Sequence, residues 1–210
     1  MGLICLQGGG EFGDACREMD ALLLDRAGGG PVVVLPYAAE DHEQVGANAA
    51  AYYASLGATD VRVAPRDTWD AVSVVNDARL LVIPGGSPRR LQEALLRTPL
   101  HDAIANAAAD PTTVVTGASA GAMLLCAATV LPEPFATGEG LGVVDDFAVI
   151  PHYDGPREDW ERALREAAPD VDQLGIPECS GVLIDGDEVV AVGARAATLI
   201  TEDGRDLLAF

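Results

Sequence analysis

The residues with the clearest chemical signature are those around Ser119. The run Val114-Val115-Thr116-Gly117-Ala118-Ser119-Ala120-Gly121-Ala122 contains a G-x-S-x-G motif with an apolar run before it and a helical pattern after it. Glycines on either side of a serine permit a sharp strand-to-helix turn that lifts the hydroxyl clear of a sheet. The N–H groups at the start of the following helix can then stabilise an oxyanion. A serine hydroxyl becomes nucleophilic only beside a base, usually a histidine. The chain has three histidines. His42 stands among Glu40, Asp41 and Glu43 and reads as a solvated residue, and His101 reads as a surface or half-buried residue near a helix start. His152, in Ile150-Pro151-His152-Tyr153-Asp154, follows a predicted strand and would reach the same sheet edge as Ser119. It is the expected base.

A third group must hold the imidazole in the correct tautomer. The chain order serine, acid, histidine leaves Glu133, Glu139, Asp145 and Asp146. Glu133, between two prolines, is the choice, with Glu139 in reserve. The N–H of Ala120 supplies one expected oxyanion donor, and that of Gly86, in the Pro84-Gly85-Gly86 turn, the other.

Short apolar runs alternate with helical stretches, so the elements that must position these groups form a doubly wound, mainly parallel sheet covered by helices on both faces. Strands are expected at Leu3–Gln7, Val32–Tyr37, Val61–Ala64, Leu80–Ile83, Thr113–Thr116 and Phe147–Ile150. Helices are expected at Asp14–Arg26, Glu43–Leu56, Arg89–Arg97, Leu100–Ala108, from the serine turn to about Ala127, and at Glu158–Ala168. Leu131–Gly142 reads as loop. The last thirty or so residues read as antiparallel strands at Gly181–Ile184, Val189–Val192, Thr198–Thr201 and Leu207–Phe210. With no linker or internal repeat, residues 1–210 are expected to form a single α/β domain. Gly8–Gly10, Gly85–Gly86 and Gly117–Gly121 all leave strand carboxyl ends, where open parallel sheets bind ligands.

Pro84-Gly85-Gly86-Ser87 with Leu91, Thr116–Ala122, and Gly140-Leu141-Gly142 leading to Pro151-His152-Tyr153 together resemble the peptidase E/cyanophycinase family of serine peptidases. Gly175-Ile176-Pro177-Glu178 also resembles a segment of that family. The resemblance runs from about Gly8 to Glu178. It implies a fold similar to class I glutamine amidotransferases, Ser119 as nucleophile, His152 as base, an acidic partner best matched by Glu133, and an oxyanion contribution from the Gly85-Gly86 loop. It also implies cleavage next to aspartyl or β-aspartyl residues in a small peptide. Such an acidic substrate calls for a binding arginine, for which Arg89, Arg90 and Arg157 lie near the expected site loops. Ser87 stands where many family members carry Asn or Asp, and the stretch after His152 is short. Both departures point to the same chemistry on a different substrate.

Composition excludes much else. The formal charge is −20, which repels nucleic acid. All 13 basic residues are arginines, so a Walker A lysine, a lysine Schiff base and a Ser–Lys dyad are ruled out. Cys5, Cys16, Cys126 and Cys179 form no CxxC pair, match no zinc module and read as free thiols in a reducing compartment. No cofactor or metal is implied. No apolar run reaches transmembrane length and the start MGLICLQGGG has no basic leader, so the expectation is a cytoplasmic protein. A homodimer through an apolar helix such as Ala47–Leu56 is open, although that face suits the sheet. A glutamine amidotransferase would need cysteine at position 119. An α/β-hydrolase esterase usually has more sequence between serine and histidine. The reading from another class is a catalytically silent binding protein that keeps the pocket, and the Ser119–His152 distance discriminates the two.

Overall fold

A computed structural model of the chain describes residues 2–210. Seven strands form the main sheet: β1 (Leu3–Gln7), β2 (Val32–Val34), β3 (Val61–Val63), β4 (Leu80–Ile83), β5 (Val114–Ala118), β10 (Ser180–Asp185) and β11 (Glu188–Gly193). Their order is β11-β10-β1-β5-β4-β2-β3. The strands from β1 to β3 run parallel, and β10 and β11 are antiparallel to them.

Side chains alternate across a strand, so one sheet feeds two cores. Leu3, Cys5, Val32, Val34, Leu80, Val82 and Val114 face one way, toward α1 (Arg17–Arg26) and α2 (His42–Ser55). Ile4, Leu6, Val33, Leu35, Leu81, Ile83 and Val115 face the other. There they meet α3 (Thr68–Asn76), α4 (Pro88–Leu95), α5 (Pro99–Ala109) and α6 (Ala120–Leu125). Helices on both faces explain why these strands read as continuous apolar runs.

The second core extends into a smaller sheet, which contributes Val149, Ile150, Leu174, Ile176 and Ile200. This sheet is ordered β13-β12-β9-β8, from β8 (Phe147–Pro151), β9 (Asp172–Ile176), β12 (Thr198–Ile200) and β13 (Arg205–Leu207), with α7 (Glu158–Ala167) between β8 and β9. The expected C-terminal antiparallel strands are present, but β9 was not expected, and it pairs parallel with β8. Two other elements differ from expectation. Thr68–Asn76 is helical, capped by the Asp67 carboxylate, which accepts from the N–H groups of Trp69 and Asp70. Leu131–Gly142, read as loop, lies largely in a hairpin of β6 (Ala128–Pro132) and β7 (Phe135–Glu139).

Beneath the carboxyl end of β1, the Gln7 side chain donates to Asp20 at 3.0 Å and to Thr116 at 2.9 Å, and Tyr52 donates to Asp20 at 2.7 Å. Burial pushes the Asp20 carboxyl above its ordinary range, opposed by these two donors. The network ties α1, α2, β1 and β5 together just below the serine.

The β5–α6 corner is pressed against β4. A Cβ on Gly121 would lie 1.9 Å from the Ile83 carbonyl oxygen, and one on Gly117 would lie 2.5 Å from the Gly121 carbonyl carbon. Neither glycine has room for a side chain. Gly121→Ala is therefore expected to destabilise the protein by about 1–3 kcal/mol. A urea unfolding curve checks this: an unchanged midpoint would mean that the corner can open without cost.

Candidate active site

Ser119 sits between β5 and α6 with φ 48° and ψ −111°. A non-glycine residue at positive φ is costly and persists only where its surroundings impose it. The carbonyl of Gln7 imposes it here, accepting the Ser119 N–H at 2.9 Å. His152 has φ 51° and its N–H donates to the Gly8 carbonyl at 2.9 Å. Cys179 has φ 52° and its N–H donates to the Gly9 carbonyl at 2.8 Å. Three consecutive carbonyls at the end of β1 thus hold three strained residues on three different loops.

The side chains meet in one line. Ser119 Oγ lies 2.9 Å from His152 Nε2, and His152 Nδ1 lies 2.9 Å from Glu178 Oε1. The pairing of β8 with β9 creates the second contact. Pro151 and Ile176 are register partners at the strands' carboxyl ends, so His152 and the Pro177-Glu178 step leave side by side. The chain then enters β10, whose start lies beside Gln7. The His152 side chain is 45% exposed and that of Glu178 61%, so the line opens to solvent.

The carboxylate at His152 is thus Glu178, a correction to the expected Glu133. Glu133 lies in the turn between β6 and β7, and its main-chain carbonyl accepts from Arg89 Nε at 3.1 Å. Strand pairing carries it onto the α4 side. The reserve residue, Glu139, pairs with Arg97 at 3.2 Å. The order along the chain is therefore serine, histidine, acid. Glu178 belonged to a segment already singled out in the sequence, but the assumed order and the unread β9 hid its role.

Gly85 and Gly86 follow β4. The Ser87 N–H and the Arg90 side chain both donate to the Ala38 carbonyl at 2.9 Å, which anchors this loop. The Gly86 N–H has no acceptor among the described residues. Ala120 opens α6, so its N–H has no acceptor inside the helix.

Of the three expected binding arginines, Arg89 lines a cavity of about 200 Å³ with Gly86, Ser87, Pro88, Pro132 and Glu133. Its guanidinium also donates to the carbonyls of Glu133 and Pro134. Arg90 is turned to Ala38, and Arg157 donates to the Pro151 carbonyl at 3.3 Å while stacking over Trp160. These two brace the loops. A larger cavity, of about 620 Å³, is lined by Asp145, Asp146, Asp172 and Asp187 at the opposite edge of the sheets.

The other histidines lie apart from the line. His101 is half-buried and shares a hydrogen bond with the Leu141 carbonyl at 2.9 Å. His42 is a correction: it is buried against Tyr37, not solvated. Burial, with Arg66 nearby, lowers its pKa. No group of three or more His, Cys, Asp or Glu among the described residues has metal-holding geometry. No helix among them is long and apolar enough to cross a membrane.

Fold and site together define a mixed α/β protein of the peptidase E-like architecture, with a Ser–His–Glu line at the carboxyl edge of its sheet. Residues 4–192 match the model of peptidase family S51, and the chain belongs to that family. It is 32% identical over 188 residues to Peptidase E of Streptomyces coelicolor, an alignment covering 81% of this chain and 74% of that one. Its fold matches the crystal structure of a peptidase from an acI-B1 actinobacterium, with TM-score 0.84, 24% identity, and coverage of 100% of this chain and 94% of that one. It also matches a putative peptidase E protein from Listeria monocytogenes EGD-e, with TM-score 0.64, 17% identity, and coverage of 93% and 100%.

Replacing the partner of Nδ1 removes its orienting effect. Glu178→Gln is expected to lower kcat by roughly 10³–10⁴, as loss of a triad carboxylate does, while Glu133→Gln leaves kcat within about threefold. Steady-state kinetics of the two variants on a hydrolysed dipeptide decide the assignment, and the reverse ranking would return the role to Glu133.

Proposed function

We propose that this protein is a serine peptidase that cleaves a small aspartyl- or β-aspartyl-type peptide through an acyl-enzyme. The observation that carries the reading is the unbroken line from Ser119 Oγ through both His152 nitrogens to Glu178, at hydrogen-bond distance in each step.

In this mechanism His152 Nε2 takes the Ser119 proton as Oγ attacks the substrate carbonyl. Glu178 holds the ring and stabilises the imidazolium that forms. The N–H groups of Gly86 and Ala120 receive the oxyanion, since both lack a competing acceptor. His152 then protonates the leaving amine, and water, activated by the same ring, releases the acyl group from Ser119. No organic cofactor or metal is required by these steps.

The acidic side of the substrate is assigned to the cavity beside Gly86, where Arg89 is the cation. Arg89 is already oriented by two carbonyls, which lowers the entropy lost on binding a carboxylate. The family membership and the similarity to Peptidase E of Streptomyces coelicolor support the reaction class, and the aspartyl-type substrate is what the sequence resemblance to the peptidase E/cyanophycinase family implies.

The test is intact mass after treatment with a small fluorophosphonate, followed by a screen of aspartyl and β-aspartyl dipeptides. A single adduct on the wild type that is absent from Ser119→Ala, with hydrolysis lost in the same variant, is the expected result. A folded wild type that takes no adduct and cleaves no dipeptide would instead mark a silent binding protein.

A further inference from the structure

Two of the four cysteines meet at one backbone oxygen. The Cys16 thiol donates to the Gly10 carbonyl at 3.0 Å, and the Cys179 thiol donates to the same carbonyl at 3.7 Å. A Cβ placed on Gly10 would lie 2.9 Å from Cys179 Sγ, so this sulfur is packed onto the glycine. The two cysteines come from distant parts of the chain. Cys16 closes the short turn that enters α1, and Cys179 directly follows Glu178.

Both backbones are held in place. The Cys16 N–H donates to the Gly13 carbonyl at 3.0 Å. The Cys179 N–H donates to the Gly9 carbonyl, and the Cys179 carbonyl accepts the Ala194 N–H at 2.9 Å. The side-chain torsions are what remain free to bring the sulfurs together. A thiol is a weak donor, so neither sulfur gives up a strong partner by turning away from Gly10.

The two sulfurs differ in access. Cys16 is fully buried, while Cys179 is half-exposed. Burial pushes the Cys16 thiol well above its ordinary range, and the Cys179 thiol beside it adds to the rise by hydrogen bonding and by charge. A reagent arriving from solvent therefore meets Cys179 first, with Cys16 behind it. Cys5 and Cys126 lie in the two separate cores, and burial raises both of their thiols.

We propose that Cys16 and Cys179 are a peroxide-reactive dithiol site that closes into a disulfide, stapling the loop after β1 to the turn that carries Glu178. Cys179 sulfur takes one oxygen of a hydroperoxide, the O–O bond breaks, and the remaining fragment leaves with the thiol proton as water or alcohol. Cys16 sulfur then attacks the sulfenic sulfur, the S–O bond breaks, and hydroxide leaves with the Cys16 proton as water. Two thiols are oxidised by two electrons, and the peroxide is reduced. The neutral sulfenic acid no longer opposes ionisation of Cys16 by charge, so the first step eases the second. A small thiol reopens the bridge by exchange. The bridge closes most of the chain into one loop, which restricts the unfolded state and stabilises the fold. No step uses Ser119, so the site stands apart from the peptidase reading.

The test is treatment of the reduced protein with hydrogen peroxide, then alkylation by N-ethylmaleimide in denaturant and intact mass. The wild type is expected to fall from four maleimide adducts to two while remaining a monomer, with peptide mapping joining Cys16 to Cys179. Cys16→Ser is expected to stop at a sulfenic acid on Cys179 that dimedone captures, and Cys179→Ser to keep its remaining thiols at the same dose. Thermal unfolding of the reduced variants checks that both fold. The unfolding midpoint of the oxidised wild type is expected to rise by about 5 °C or more and to return with dithiothreitol, a shift absent from both variants. Four adducts persisting in the wild type, or a bridge between any other pair or between two molecules, would overturn the proposal. So would a sulfinic acid on Cys179 in place of a bridge, or a bridged protein whose midpoint does not rise.

Discussion

Three backbone hydrogen bonds at the end of β1 govern the site. The carbonyls of Gln7, Gly8 and Gly9 accept from Ser119, His152 and Cys179, each at 2.8–2.9 Å. Each bond reaches a different part of the chain, and each secures a residue at positive φ. Strain of that kind costs on the order of 1–3 kcal/mol per residue, so it survives only when the surroundings over-determine it. Here the surrounding structure is the β1 edge itself. β1 pairs with β5 on one side and β10 on the other, which brings the starts of both neighbouring loops to the same end. The two glycines after Gln7 turn their carbonyls toward loops that a bulkier turn would hold away. The alignment of Ser119, His152 and Glu178 is therefore a property of backbone pairing more than of side-chain reach.

Much of this was legible in the sequence. Gly117 and Gly121 report the serine corner because the chain there approaches Gly121 and Ile83 too closely for any Cβ. The Val-rich and Leu-rich runs report parallel strands because both faces are covered. His152 was legible as the one histidine directly following a strand. Glu178 was not legible as the acid. Its position depends on β9, whose sequence Asp172-Gln173-Leu174-Gly175-Ile176 mixes a buried glutamine and a glycine into a short strand. Gln173 is tolerated there because its amide donates to the Glu161 carbonyl at 2.9 Å, a partner that no local pattern reveals. The β6–β7 hairpin was hidden by Pro132, Pro134 and Gly138, which read as loop punctuation. His42 misled for a related reason. Its neighbours in sequence are acidic, but its neighbours in space are Tyr37 and the body of the fold.

The arginines show how a lysine-free chain divides its cations. Arg90 and Arg157 donate to main-chain carbonyls and brace the loops on either side of the site. Arg62, Arg162 and Arg195 pair with exposed or partly exposed aspartates, where such pairs contribute little to stability. Arg205 is different, since its partner Glu161 is buried. Glu161 also accepts from the N–H of Arg157 and from Tyr153. This cluster ties α7 and β13 to the residues flanking His152, so the smaller sheet has a direct mechanical connection to the imidazole. Arg89 is left as the arginine that lines a cavity beside Gly86.

Two carboxylates stand close to the serine and act on different parts of the site. Glu178 faces the far nitrogen of His152 at 2.9 Å, so in the proposed chemistry it stabilises the positive charge that the ring acquires when it takes the serine proton. Glu11 lies off that line: its Oε1 accepts the Gly85 N–H at 2.7 Å and ties the loop after β1 to the loop after β4. The first bears on the charge of the imidazole and the second on the position of a loop, although a Cβ on Gly85 would touch both Glu11 and Ser119.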